Sequence, residues 1–109
     1  MLTDRMKEEL VKGLLGLFHE NLSMIILYGS VARDEATAES DIDIAIITKK
    51  DMDEEIRNQF IYWSAELDLR YDCVFSIIDI NEEKMEKWGN VLPFYQNVKK
   101  EGIVLWKAA

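Results

Sequence analysis

A single cysteine, Cys73, in a chain of 109 residues excludes an internal disulfide and any cysteine cluster for zinc. A reducing compartment is the default for such a chain, and the cytoplasm is the expected location. No apolar run approaches the ~20 residues that span a bilayer, so no membrane role is expected. The opening residues, MLTDRMKEEL, are charged throughout and do not read as a signal peptide. Positive charge is scarce: 13 Lys and Arg stand against 21 Asp and Glu, a net charge of −8. An acidic chain repels a phosphate backbone and has no counterions to release from it, which argues against nucleic acid as a partner. Proline occurs once and glycine five times, with no linker, repeat or low-complexity segment. The one histidine, His19, closes a helical pattern and reads as a surface or capping residue.

What is present suits one globular domain over residues 1–109, with 49% of its residues apolar and 31% charged. Thr3 or Asp4 can cap a first helix, in which Met6, Leu10, Leu14 and Leu17 recur at helical spacing, with Val11 and Phe18 beside them. Gly13 and Gly16 each weaken that helix by roughly 1 kcal/mol relative to alanine, so tertiary packing must hold it. Met24 to Tyr28 is a continuous apolar run of strand length, and Ile42 to Thr48 is a second. Between them, VARDEA has room for one or two helical turns. Asp51 or Asp53 starts the next helix, which keeps its spacing through Ile56, Phe60, Trp63 and Leu67 to about Asp68. A third strand is expected over Arg70 to Ile78, with Cys73 as inert core. Asp79 to Asn81 then turns the chain. Asn81 caps EEKMEKW, Pro93 opens a last helix, and Gly102 ends it before a possible strand IVLW. The order describes an α/β or α+β fold: a small mixed sheet of three to four strands with helices packed on it.

The chemistry concentrates in GSVARDEATAESDID, Gly29 to Asp43. Gly29 and Ser30 end a buried strand. Glycine lets backbone approach a phosphate, and a turn into a helix aims free N–H groups at the anion. The Ser30 hydroxyl adds a donor, and Arg33 is placed to reach a phosphate one turn on. Ten residues after Ser30 come Asp41 and Asp43. On a strand they point the same way, roughly 6–7 Å apart, while Ile42, Ile44 and Ile46 face the core. Two carboxylates in register repel each other unless a cation sits between them. Magnesium suits them, since it takes one or two carboxylates together with substrate phosphates. Two-metal phosphoryl chemistry asks for a third carboxylate. Asp72, near the start of the expected third strand, is the best candidate and a potential general base; Asp68 is second.

Gly-Ser, ten residues and Asp-x-Asp resemble the signature of the nucleotidyltransferase superfamily that includes DNA polymerase beta. The resemblance runs from the first helix to about Ile78. The short length, and the tail PFYQNVKKEGIVLW, resemble its minimal nucleotidyltransferase branch. The resemblance implies the nucleotidyltransferase fold, with Asp41, Asp43 and Asp72 holding two Mg2+ ions. Gly29 and Ser30 would bind the β- and γ-phosphates of ATP. The implied reaction is transfer of a nucleotide monophosphate to a hydroxyl, with pyrophosphate leaving. Minimal members are commonly paired with a helical HEPN protein and act as antitoxin by adenylylating a tyrosine of that ribonuclease. The same is the leading expectation here, because no acceptor-binding domain accompanies the motif and an acidic chain suits a protein partner.

One departure stands out. Minimal members often carry Ala-Arg-Gly-Glu after the Gly-Ser pair, where this chain has Ala32-Arg33-Asp34-Glu35. Asp34 would add negative charge near the phosphates. That motivates a second reading, a catalytically weak antitoxin that neutralises its partner by contact alone. A third is transfer to a small hydroxyl acceptor such as an aminoglycoside, by a homodimer whose interface forms the acceptor pocket. Leu105 and Trp106 near the C-terminus are candidates for a dimer or partner contact.

Overall fold

The computed structural model describes residues 2–37 and 40–109. Helix α1 spans Asp4–Phe18, and the Thr3 side chain caps it by accepting from the Met6 N–H. A single 3-10 turn, His19–Asn21, leads into β1, Leu22–Tyr28. Then follow α2 (Gly29–Ala32), β2 (Ile42–Thr48) and α3 (Glu54–Tyr71), the last capped by Asp53. Strand β3 is Phe75–Asn81, and Asn81 caps α4, Glu82–Trp88. Pro93 opens α5 (Pro93–Glu101), and Ile103–Lys107 forms β4.

The four strands form one mixed sheet in the order β3-β2-β1-β4. The β1 strand is antiparallel to both β2 and β4, whereas β2 and β3 are parallel. A parallel pair needs a crossover, and α3 supplies it. Strand alternation then sorts the core into two layers. Ile25, Leu27, Ile42, Ile44, Ile46 and Phe75 pack under α1 and α3. Ile26, Ala45, Ile47 and Ile80 pack on the other face, under α4 and α5, with Val98, Met85 and Tyr95. Continuous apolar strands are the expected signature of a sheet covered on both sides.

Two local expectations change. In α1 the fourth buried position is Phe18 rather than Leu17, which is only partly covered. Gly13 has a packing role, because a Cβ there would collide with the Trp63 ring of α3. The glycine that weakens α1 is thus what admits α3 at close range.

The larger correction concerns the third strand. Arg70 and Tyr71 belong to α3, not to a strand, and Asp79 to Asn81 belong to β3, not to a turn. The reason is tertiary. Arg70 pairs with Glu9 of α1, and the Tyr71 hydroxyl donates to the same carboxylate, so the helix is held to its last turn. Asp72 then adopts a left-handed conformation, φ 49°, and stops it. The Asp68 carboxylate accepts from the Phe75 N–H at 2.9 Å and fixes where β3 begins. Cys73 consequently lies in the connecting turn, half-buried, with burial and the charges of Asp68 and Asp72 pushing its thiol up. None of the described helices is long and apolar enough to cross a membrane.

Candidate active site

The site is built where the end of β1 meets the start of β2. Tyr28, the last residue of β1, pairs with Asp43 of β2. Gly29 follows at φ +76°, a left-handed conformation that glycine adopts without strain. A Cβ at this position would collide with Asp43 Oδ2 and lie 3.1 Å from its Cγ. Gly29 therefore does two things: it turns the chain into α2, and it makes room for the Asp43 carboxylate.

Helix α2 is one turn long. Arg33 N–H donates to the Gly29 carbonyl at 3.1 Å, and Glu35 N–H to that of Ser30 at 2.9 Å. The N–H groups of a first helical turn have no intrahelical partner. Tyr28, which precedes this turn, provides no side-chain cap. Ser30 is half-buried beside these amides.

Asp41 is exposed immediately before β2, and Asp43 is half-buried within it. Ile42, Ile44 and Ile46 are buried on the α1 face, so Asp43 looks toward the α4 and α5 side. Burial first, then the charge of Asp41, push the Asp43 carboxyl above its ordinary range, while Arg33 pulls it back. Tyr28 is also raised, by burial and by the nearby Asp43 charge. Its ring stands edge-on against Phe94 of α5, centroids 5.8 Å apart.

Arg33 acts on Asp43 electrostatically but is bound elsewhere. Its Nη1 donates to Glu101 Oε2 at 3.0 Å, and its Nε to Glu35 Oε2 at 3.4 Å. These two hydrogen bonds hold its charge firmly. Asp34 has φ 58°, the left-handed region again, which is a physical reason for glycine at this position in other chains. It lines a cavity of about 490 Å³ with Leu2, Lys7, Leu27 and Leu105. Leu27 and Leu105 belong to the α1 face, opposite to Asp43.

The structure thus brings Gly29, Ser30, Arg33, Asp41 and Asp43 together. Asp72 is not placed on a strand beside them. It is exposed in the turn three residues ahead of β3, and among the described residues no three His, Cys, Asp or Glu side chains form a metal-binding group. Sequence reasoning missed Glu101, which sits 68 residues from the arginine it holds. It also missed Ser76, the β3 residue paired with Asp43.

Residues 16–108 match the family model of the polymerase beta nucleotidyltransferase. The chain belongs to this family. The nucleotidyltransferase is 37% identical over 99 residues to "Putative protein adenylyltransferase MJ0604" of Methanocaldococcus jannaschii, covering 91% of this chain and 93% of that one. Its fold is shared by a chain of a toxin–antitoxin crystal structure with AMP-PNP, with a TM-score of 0.65 at 23% identity, covering 94% of this chain and 73% of the other. The same fold recurs in a tri-AMPylated Shewanella oneidensis HEPN toxin in complex with MNT antitoxin, with a TM-score of 0.57 at 20% identity, covering 95% and 71% of the two chains.

Proposed function

We propose that this nucleotidyltransferase moves AMP from ATP to a hydroxyl group, and that the acceptor is a tyrosine of a HEPN-type helical partner. The observation that carries the reading is the packing of Gly29 on the Asp43 carboxylate. It puts a phosphate-type turn and an acidic pair within one side chain of each other. The match to a protein adenylyltransferase and to toxin–antitoxin folds supports the choice of acceptor.

The donor set fits magnesium shared with a nucleotide. Asp41 and Asp43 offer hard carboxylate oxygens, and their mutual repulsion is only partly offset by Arg33, whose hydrogen bonds go to Glu101 and Glu35. Asp41 and Asp43 would hold such an ion, which would supply charge neutralisation for the triphosphate and polarisation of the phosphate under attack. The amides of α2 and the Ser30 hydroxyl hold the β- and γ-phosphates. Arg33 exchanges a carboxylate for a phosphate oxygen, a bidentate contact of the kind its planar fork favours. The acceptor oxygen bonds to the α-phosphorus as the bond to pyrophosphate breaks, and the hydroxyl proton is released. Orientation of the two reactants, rather than covalent chemistry by the protein, accounts for the rate.

ATP labelled at the α-phosphate should mark a HEPN-type partner protein, whereas ATP labelled at the γ-phosphate should not. Label arriving from the γ-phosphate would make the chain a kinase and overturn the reading.

A further inference from the structure

Asp43 has a sheet neighbour on each side at its own level: Tyr28 of β1 and Ser76 of β3. Side chains of directly paired residues share a face. Alternation places all three on the α4 and α5 side, where Ile26, Ala45, Ile47, Ile78 and Ile80 also pack. All three are half-buried. Tyr28 is occupied with Phe94. Ser76 is therefore the β3 side chain that stands at the level of the acidic pair and on its side.

Asp72 does not reach that level. Pairing between β2 and β3 begins with Ile42 opposite Phe75. Just outside it, the Ile42 N–H donates to the Val74 carbonyl at 2.9 Å. Asp72 lies beyond this point, in the left-handed turn that closes α3, exposed and held back by the bond from its own N–H to the Asp68 carbonyl.

We propose that residue 76, not residue 72, is the third position of the active site, and that serine there limits the chain to one divalent cation per bound triphosphate. The proposal rests on the reading of Asp41 and Asp43 as the pair that holds the metal. A second cation, about 3.5–4 Å from the first, needs a further hard ligand from the protein. Paired strands are about 4.7–4.9 Å apart, so a carboxylate at position 76 would supply it. A hydroxyl brings no charge to offset the dehydration of a second ion, which magnesium-type cations resist. The two-ion arrangement that the resemblance implies is thus incomplete in this chain, and Asp72 does not complete it.

Equilibrium dialysis of Mn2+ against the chain saturated with a non-hydrolysable ATP analogue counts the cations without any turnover. The expected result is one bound Mn2+ per chain in the wild type, still one in Asp72→Asn, and two in Ser76→Asp. Two in the wild type with one lost in Asp72→Asn would overturn the proposal, as would a count of one in folded Ser76→Asp. No bound Mn2+ in the wild type would instead overturn the reading of Asp41 and Asp43 itself. Should Ser76→Asp fail to fold, the wild-type and Asp72→Asn counts decide the matter alone.

Discussion

Arg33 Nη1 donates to Glu101 Oε2 at 3.0 Å, tying the residue that caps α2 to the last residue of α5. Both side chains are exposed, so the pair contributes little to stability. Its consequence is kinetic. On the proposed function, ATP takes Arg33 away from Glu101. Glu101→Gln should lower the KM for ATP by roughly twofold to fivefold, with kcat little changed. Arg33→Ala should raise KM by about tenfold, as expected for one lost charge-assisted hydrogen bond. Steady-state kinetics check both, and a higher KM in Glu101→Gln would show that the pair positions Arg33 and does not restrain it.

Gly29 meets two demands at once, a positive φ and the absence of a Cβ against Asp43. Gly29→Ala should therefore lower stability by more than about 1 kcal/mol and displace the Asp43 carboxylate. Chemical denaturation and AMP transfer should fall together. An alanine variant with wild-type stability and transfer would mean that the turn is looser than the structure has it.

The Asp43 charge opposes folding. Burial and Asp41 raise its folded pKa, so the folded chain binds this proton more tightly than the unfolded chain does. The stability held by the neutral form is complete below the ordinary carboxylate range and is lost as pH rises through the raised value. Asparagine is neutral throughout. In the absence of divalent metal, Asp43→Asn should match the wild type in Tm at about pH 3–4 and exceed it at neutral pH. Added Mg2+ with ATP should narrow the gap. A variant less stable than the wild type at neutral pH without metal would assign Asp43 a structural role.

Much of this was legible in the sequence, and the boundary of that legibility is physical. Local signals carried far: Thr3, Asp53 and Asn81 cap the helices that begin after them, and Pro93 opens α5. The alternation Asp41, Ile42, Asp43, Ile44 separated site from core, and Ile42 and Ile44 are indeed buried. Long-range contacts did not show. Arg70 and Tyr71 read as strand because their hold on Glu9, 61 and 62 residues away, has no local trace. That misplaced the start of β3 and set Asp72 near a strand start, where the structure has the left-handed turn that closes α3. The left-handed backbone of Asp34 likewise left no trace in the sequence, where only its charge could be read.

Asp34 yields a prediction of its own. Its left-handed backbone costs most side chains about 1–2 kcal/mol, though aspartate tolerates it better than most. Asp34→Gly should therefore leave the protein within about 1 kcal/mol of wild-type stability, on the stabilised side if either. Because Asp34 lines a cavity with Leu27 and Leu105 of the α1 face, and Asp41 and Arg33 rather than Asp34 are the charges acting on Asp43, AMP transfer should not change. A marked rise in transfer by Asp34→Gly would return Asp34 to the nucleotide site.

On the proposed function, Asp41 and Asp43, set against the Gly29 turn, carry AMP transfer to a partner protein. Intact-mass spectrometry of the HEPN-type partner, after incubation with ATP, Mg2+ and either the wild-type chain or the Asp41→Asn, Asp43→Asn double variant, tests it most directly. The wild type should add AMP to the partner, and the folded double variant should add none. Equal modification by both, or none by a folded wild type with its folded partner, would contradict the account.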